Sequence, residues 1–230
     1  MAPEIMWTSV ELSQNGSKFA GYLVRPNVDE ARPGVVVIQE WWGLEPHIKD
    51  VVQRFAREGY VAIAPDLYDG RIATEPNEAQ KIRMALDVPQ AVQRVNSAAR
   101  YLKSQQYSRG QKVGTIGFCM GGMVSLATAC DSRDIDAAVV FYGRNPDPIE
   151  KVENVSCPLL GIYGEADQGI PVSEVERLRE ALNRFGKQAS IHIYPQAPHA
   201  FFNDTKESHR PEAAQDAWQK TLAFFRQNLG

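Results

Sequence analysis

A chain of 230 residues, 43% hydrophobic and 23% charged, can bury a core without disulfides or a structural metal and is too short for two full enzyme domains, so one domain over 1–230 is expected. Its 25 Lys and Arg against 28 Asp and Glu give a net charge of −3 with no long block of either sign, which removes the electrostatic basis for a nucleic-acid or acidic-membrane partner. Three cysteines, Cys119, Cys130 and Cys157, are too few and odd in number for a stapled secreted scaffold. Residues 1–7 lack the basic start and apolar run of a signal peptide, and no stretch reaches the roughly 20 apolar residues of a membrane span, so a cytoplasmic protein is expected.

Along the chain, 7–12 and 18–24 read as two strands around Gln14-Asn15-Gly16, where Asn-Gly accepts the positive backbone angles of a tight hairpin. After Pro33-Gly34, the run Val35-Val36-Val37-Ile38 is too short for a helix and β-branched, as a strand buried on both faces would be. Apolar Ile48, Val51, Val52 and Phe55 recur at helical spacing over 46–58, Gly59 closes that helix, and a strand follows at 60–64. Helices are expected at 77–86, 89–106, 120–130, 172–185 and 211–229, with strands at 112–118, 136–142, 157–163 and 190–194. This alternation specifies an α/β fold: a mostly parallel sheet, helices on both faces and an N-terminal antiparallel hairpin. Ligands of such a sheet bind beyond the strands' carboxyl ends.

At one such end lies Gly117-Phe118-Cys119-Met120-Gly121-Gly122, a Gly-x-nucleophile-x-Gly turn with cysteine in the reactive place. A strained strand-to-helix turn leaves no space for side chains two residues before and after the nucleophile. The helix beginning there brings unpaired N–H groups and its positive end to Cys119, favouring thiolate and negative charge on a substrate oxygen. The bland alternative is a small buried residue in a glycine-packed turn, the reading given to Cys130 and Cys157. No Cys-x-x-Cys or His-x-x-x-His spacing suggests a metal, and no cofactor is expected.

An elbow nucleophile needs an imidazole and a carboxylate that orients it, in the chain order nucleophile, acid, histidine. Asp167 and His199 follow consecutive strands at the active edge, with Glu165 the rival acid. His192 lies within a strand, His209 among charges, and His47 at a helix start where a surface role is expected. After the strand ending at Ile38 comes Gln39-Glu40-Trp41-Trp42-Gly43. There the backbone N–H of Trp41, with that of Met120, is the candidate oxyanion holder. Glu40, at the end of a buried strand, is either a tuner of the Cys119 proton, its own pKa raised by burial, or a solvated loop residue.

Five segments, Gln39-Glu40-Trp41-Trp42-Gly43, Ala64-Pro65-Asp66-Leu67-Tyr68, Gly117-Phe118-Cys119-Met120-Gly121-Gly122, Gly164-Glu165-Ala166-Asp167 and Pro198-His199-Ala200-Phe201-Phe202, together resemble the dienelactone hydrolase (carboxymethylenebutenolidase) family. The likeness runs from about Gly21 to the C-terminal helix. It implies an α/β-hydrolase fold, a Cys-His-Asp triad carried onto Cys119, His199 and Asp167, and the family's characteristic glutamate at Glu40. It further implies hydrolysis of an unsaturated, carboxylate-bearing lactone to maleylacetate. Family members with that activity carry an arginine four positions after the histidine, where this chain has Asn203, and a second in the segment after Tyr68, where Arg71 and Arg83 are candidates. Arg144 and Arg210 are further cations, and the default reading of any one arginine is a solvated surface charge. Trp41, Trp42, Tyr68, Tyr142 and Phe201 are candidates for an aromatic pocket, or for core packing.

The expected function is therefore cleavage of a small ester or lactone through an acyl-enzyme. The rivals are a broader carboxylesterase or thioesterase, a non-catalytic binding protein that kept the fold, and a metal-dependent hydrolase.

Overall fold

The computed structural model describes residues 3–230; Met1 and Ala2, the start of the segment weighed as a leader, lie outside the described residues. Eight strands form one sheet: β1 Ile5–Gln14, β2 Ser17–Pro26, β3 Gly34–Ile38, β4 Val61–Pro65, β5 Val113–Phe118, β6 Ala137–Phe141, β7 Leu159–Gly164 and β8 Ala189–Tyr194. Six α-helices intervene: α1 Pro46–Arg57, α2 Pro76–Met84, α3 Val88–Ser104, α4 Met120–Asp131, α5 Val172–Arg184 and α6 Pro211–Leu229. The strand order is β1-β2-β4-β3-β5-β6-β7-β8; β1–β2 and β2–β4 are antiparallel, and every pair from β4–β3 to β7–β8 is parallel.

Local chemistry accounts for the elements. Asn15 (φ 50°) and Gly16 (φ 83°) make the β1–β2 turn with both residues left-handed, as a two-residue hairpin requires. Every residue of β3, β4, β5, β6 and β7 is buried, because helices cover both faces of a parallel sheet. On one face Phe55 of α1 meets Trp218 and Phe225 of α6, ring centroids 4.6 and 5.8 Å apart. On the other α3 packs beside α4. Pro at the first helical turn of α1, α2, α3 and α6 starts each helix without losing a hydrogen bond.

Register sets the site. Ile38 pairs with Gly117, Phe118 with Phe141, Phe141 with Ile162 and Gly164 with Tyr194, so the loops carrying Glu40, Cys119, Tyr142, Asp167 and His199 leave the sheet on one edge. These are the carboxyl ends of the parallel strands, where this architecture opens its crevice.

Candidate active site

Cys119 sits at φ 56°, ψ −114°, a left-handed conformation that costs a non-glycine residue about 1–3 kcal/mol and persists where surroundings enforce it. They do so here. Its N–H donates to the Phe141 carbonyl at 3.0 Å. A Cβ on Gly117 would overlap the Gly121 carbonyl, and one on Gly121 the carbonyls of Ile38 and Gln39. The two glycines thus let α4 start against β3 and β5, and Cys119 emerges partly exposed at the start of that helix.

The next two loops are stitched together before they meet Cys119. Glu165 N–H donates to Tyr194 O at 2.9 Å, Ala166 N–H to Ala197 O at 3.0 Å, and Gln196 N–H to Glu165 Oε2 at 3.0 Å. Glu165 is thereby committed to the loop. Asp167 is buried; its Oδ1 accepts from the N–H groups of Gly169 (2.8 Å) and Ile170 (3.0 Å), which turns Oδ2 to within 2.6 Å of His199 Nδ1. Burial works against a charged His199, but hydrogen bonds to Asp167 and Cys119 and the charges of both outweigh it and raise the imidazole to about 10. The environment therefore favours a proton on the ring.

Glu40 is 2% exposed, so the solvated-loop alternative falls away. Asn203, itself fully buried, donates from Nδ2 to Glu40 Oε2 at 2.8 Å, and its Oδ1 accepts from Thr205 N–H (3.0 Å) and Oγ1 (2.6 Å), which settles the amide's orientation. Glu40 Oε1 has no partner among the described residues. Burial raises the Glu40 carboxyl to about 7, against the pull of the Asn203 bond. Asn203 thus lies beneath the site as a bracket for Glu40, a role that no spacing in the sequence signals. Neither Trp41 N–H nor Met120 N–H is taken by a backbone acceptor among the described residues.

A cavity of about 350 Å³ opens beside these groups. Trp41, Met120, Met123, Tyr142 and Ile170 supply its apolar wall, Cys119 a thiol, His199 an imidazole, and Arg83 and Arg144 its charge. Other aromatics expected there stand elsewhere. Trp42 packs edge-on to Trp41 and under Lys206, and Phe201 is buried between Tyr142 and Tyr194. The Tyr68 hydroxyl meets Met120 Sδ at 2.9 Å behind the wall. Arg71 is exposed, and its Nε donates to the Tyr68 carbonyl of its own turn. His47 corrects the surface role expected of it: it is 3% exposed, wedged between Phe118 and Phe202, and lies 3.3 Å from an Asp204 oxygen without the alignment of a hydrogen bond. Burial lowers its pKa.

Among the described residues no group of three or more His, Cys, Asp or Glu is placed to hold a metal, and no helix is long and apolar enough to cross a membrane.

Strand order, a left-handed turn at Cys119 between β5 and α4 and loops converging there define an α/β-hydrolase fold. The model of the dienelactone hydrolase family matches residues 19–229; the chain belongs to that family. It is 37% identical over 234 residues to "Protein usf" of Aquifex pyrophilus, covering 97% of this chain and all of that one. It is 34% identical to a Methylorubrum extorquens protein named "Putative carboxymethylenebutenolidase", covering 95% of this chain and 80% of that one. A Klebsiella pneumoniae crystal structure titled "Putative Dienelactone Hydrolase" superposes with a TM-score of 0.91 at 31% identity, covering 97% and 99% of the two chains.

Proposed function

We propose that this member of a hydrolase family cleaves a small ester or lactone, of dienelactone type, through a thioester on Cys119. The observation that carries the reading is the 2.6 Å contact of His199 Nδ1 with a buried, doubly anchored Asp167, on an imidazole that lines the same open cavity as Cys119. Attack forms the Sγ–C bond, and the N–H groups of Met120 and Trp41 hold the oxyanion. Collapse breaks the C–O bond as His199 gives its proton to the departing oxygen. Water then attacks the thioester and passes a proton to His199, the Sγ–C bond breaks, and the acid product leaves. Glu40, ionising near neutral pH with one oxygen free, is the second proton acceptor within the site and tunes the Cys119 proton. The three cysteines are free thiols, which supports a reducing, cytoplasmic setting.

A broader carboxylesterase or thioesterase is favoured by one observation. Asn203 is neutral and turned toward Glu40, so that position offers the substrate no cation. Comparing kcat/KM for dienelactone, neutral aryl esters and acyl thioesters in wild type, Cys119→Ala and His199→Ala decides among these. The reading expects dienelactone to lead and each variant to lose at least about 1,000-fold. Neutral esters leading would shift the assignment to a general esterase, and the absence of any turnover would leave a binding protein.

A further inference from the structure

Glu40 makes one side-chain hydrogen bond among the described residues, from Asn203, so its placement is only as firm as that of the segment carrying the amide. Residues 195–210, which join β8 to α6, contain turns but no helix or strand, and a segment of that kind keeps its place through a few individual contacts. Within it Asn203 N–H donates to the Ala200 carbonyl at 3.0 Å, and Lys206 N–H to the Asn203 carbonyl at 3.2 Å. These bonds shape the turn; they do not fasten it to the rest of the molecule.

The residue after Asn203 does. Asp204 Oδ2 accepts from Arg54 of α1, and Arg54 also donates from Nε to Asp50 Oδ2, one helical turn earlier, at 2.6 Å. Asp204 Oδ1 lies 3.3 Å from Nδ1 of His47 in the first turn of α1. The His47 ring is buried between Phe118, which precedes Cys119, and Phe202, which precedes Asn203. Both oxygens of Asp204 therefore face α1. Since residues 39–45 connect β3 to that helix, the contacts close a ring: from Glu40 along the chain to Arg54, across to Asp204, back one residue to Asn203, and through the 2.8 Å amide bond to Glu40. At side-chain exposures of 31% and 37% the Arg54–Asp204 pair adds little to stability, but a guanidinium forked between two carboxylates fixes geometry.

We propose that Asp204, gripped by Arg54, is a positioning residue that acts through Asn203 to keep Glu40 where it tunes the Cys119 proton. The inference rests on the part assigned to Glu40 above and adds the means by which α1 sets it. Neither Arg54 nor Asp204 lines the cavity, so each reaches the reaction only through other groups. With the clasp open, Asn203 is free to turn away, and the buried Glu40 carboxyl loses its donor and changes rotamer or draws in water to replace it. Removing the clasp should therefore matter only while Glu40 is present.

Two rates test this dependence. Alkylation of Cys119 by iodoacetamide at about pH 8 reads the thiol without acyl transfer, and kcat/KM for para-nitrophenyl acetate reads it within the reaction. Asp204→Ala and Arg54→Gln are each expected to lower both rates about tenfold, whereas in a Glu40→Gln background the same changes lower them less than about twofold, because the group they place is gone. Arg54→Lys, which keeps the charge without the fork, recovers part of the loss. Urea midpoints should stay within about 0.5 M of each parent, and a general loosening of the fold would act equally in both backgrounds. Should Asp204→Ala not fold, Arg54→Gln carries the comparison. A loss of equal size with and without Glu40, or no loss from either variant, overturns the role of Asp204 alone. Both rates at the wild-type level in Glu40→Gln overturn the part assigned to Glu40 and this inference together.

Discussion

At the scale of single residues the site depends on where two buried carboxylates spend their oxygens. Asp167 commits one to two N–H groups and the other to His199. Asp167→Asn keeps the shape but replaces the acceptor facing Nδ1 by an amide that can turn a donor there, inverting the ring tautomer. A fall in kcat of at least about 100-fold, with stability within about 2 kcal/mol, is the expected outcome of paired kinetic and denaturant measurements. Glu40 differs, because burial rather than a charge partner dominates its environment. Its folded pKa, about 7, lies above the ordinary glutamate value of 4.5, so its contribution to stability is full below about pH 4.5, declines as pH rises from there to about 7, and is level above. Glu40→Gln removes that titration. Between about pH 4 and about pH 9 the stability of the variant relative to wild type should improve by about 3 kcal/mol. A pH-independent difference in urea midpoints would show that Glu40 does not titrate as its burial requires.

At the scale of elements, the site is an effect of register and of a few positions without side chains. Gly164 closes β7 where a Cβ would overlap the Ala197 carbonyl of the loop carrying His199. Gly164→Ala therefore pushes the Asp167 and His199 loops apart. It is expected to cost about 2–4 kcal/mol of stability and, where folded protein is recovered, to lower kcat far more than it raises KM. The strands were readable in the sequence because β3 to β7 are buried on both faces and written as continuous apolar runs. The helix ends were readable from Pro and Gly. The Gly-x-Cys-x-Gly spacing was readable for the same steric reason the structure displays. Asn203 was not readable as a partner of Glu40, since a hydrogen bond across 163 positions leaves no local period or motif. His47 was misjudged because a helix start is usually exposed, whereas this one is buried beneath Phe118 and Phe202. The aromatic segment after β8 was legible as site-proximal but not divided: His199 faces the cavity, while Phe201 turns into the core.

At the scale of the whole molecule, the fold separates one partly exposed thiol from two buried ones. Cys130 and Cys157 are buried, and burial pushes both thiols up to about 12, so neither is nucleophilic at neutral pH. Cys119 is partly exposed at the cavity wall. A limiting dose of iodoacetamide on the native protein should add one label, at Cys119, with loss of activity proportional to labelling; in denaturant all three cysteines should label. Two labels on native protein would place a second thiol within solvent reach.

The central claim is that the sulfur of Cys119 carries the acyl group between the two halves of the reaction. Acid quench during steady-state turnover of an aryl ester, followed by mass spectrometry of the Cys119 peptide, tests it most directly. The account predicts an increment equal to the acyl group on that peptide in wild type and none in Cys119→Ala, whose turnover is lost with it. Hydrolysis that continues in Cys119→Ala, or an acyl group found on another residue, would contradict it.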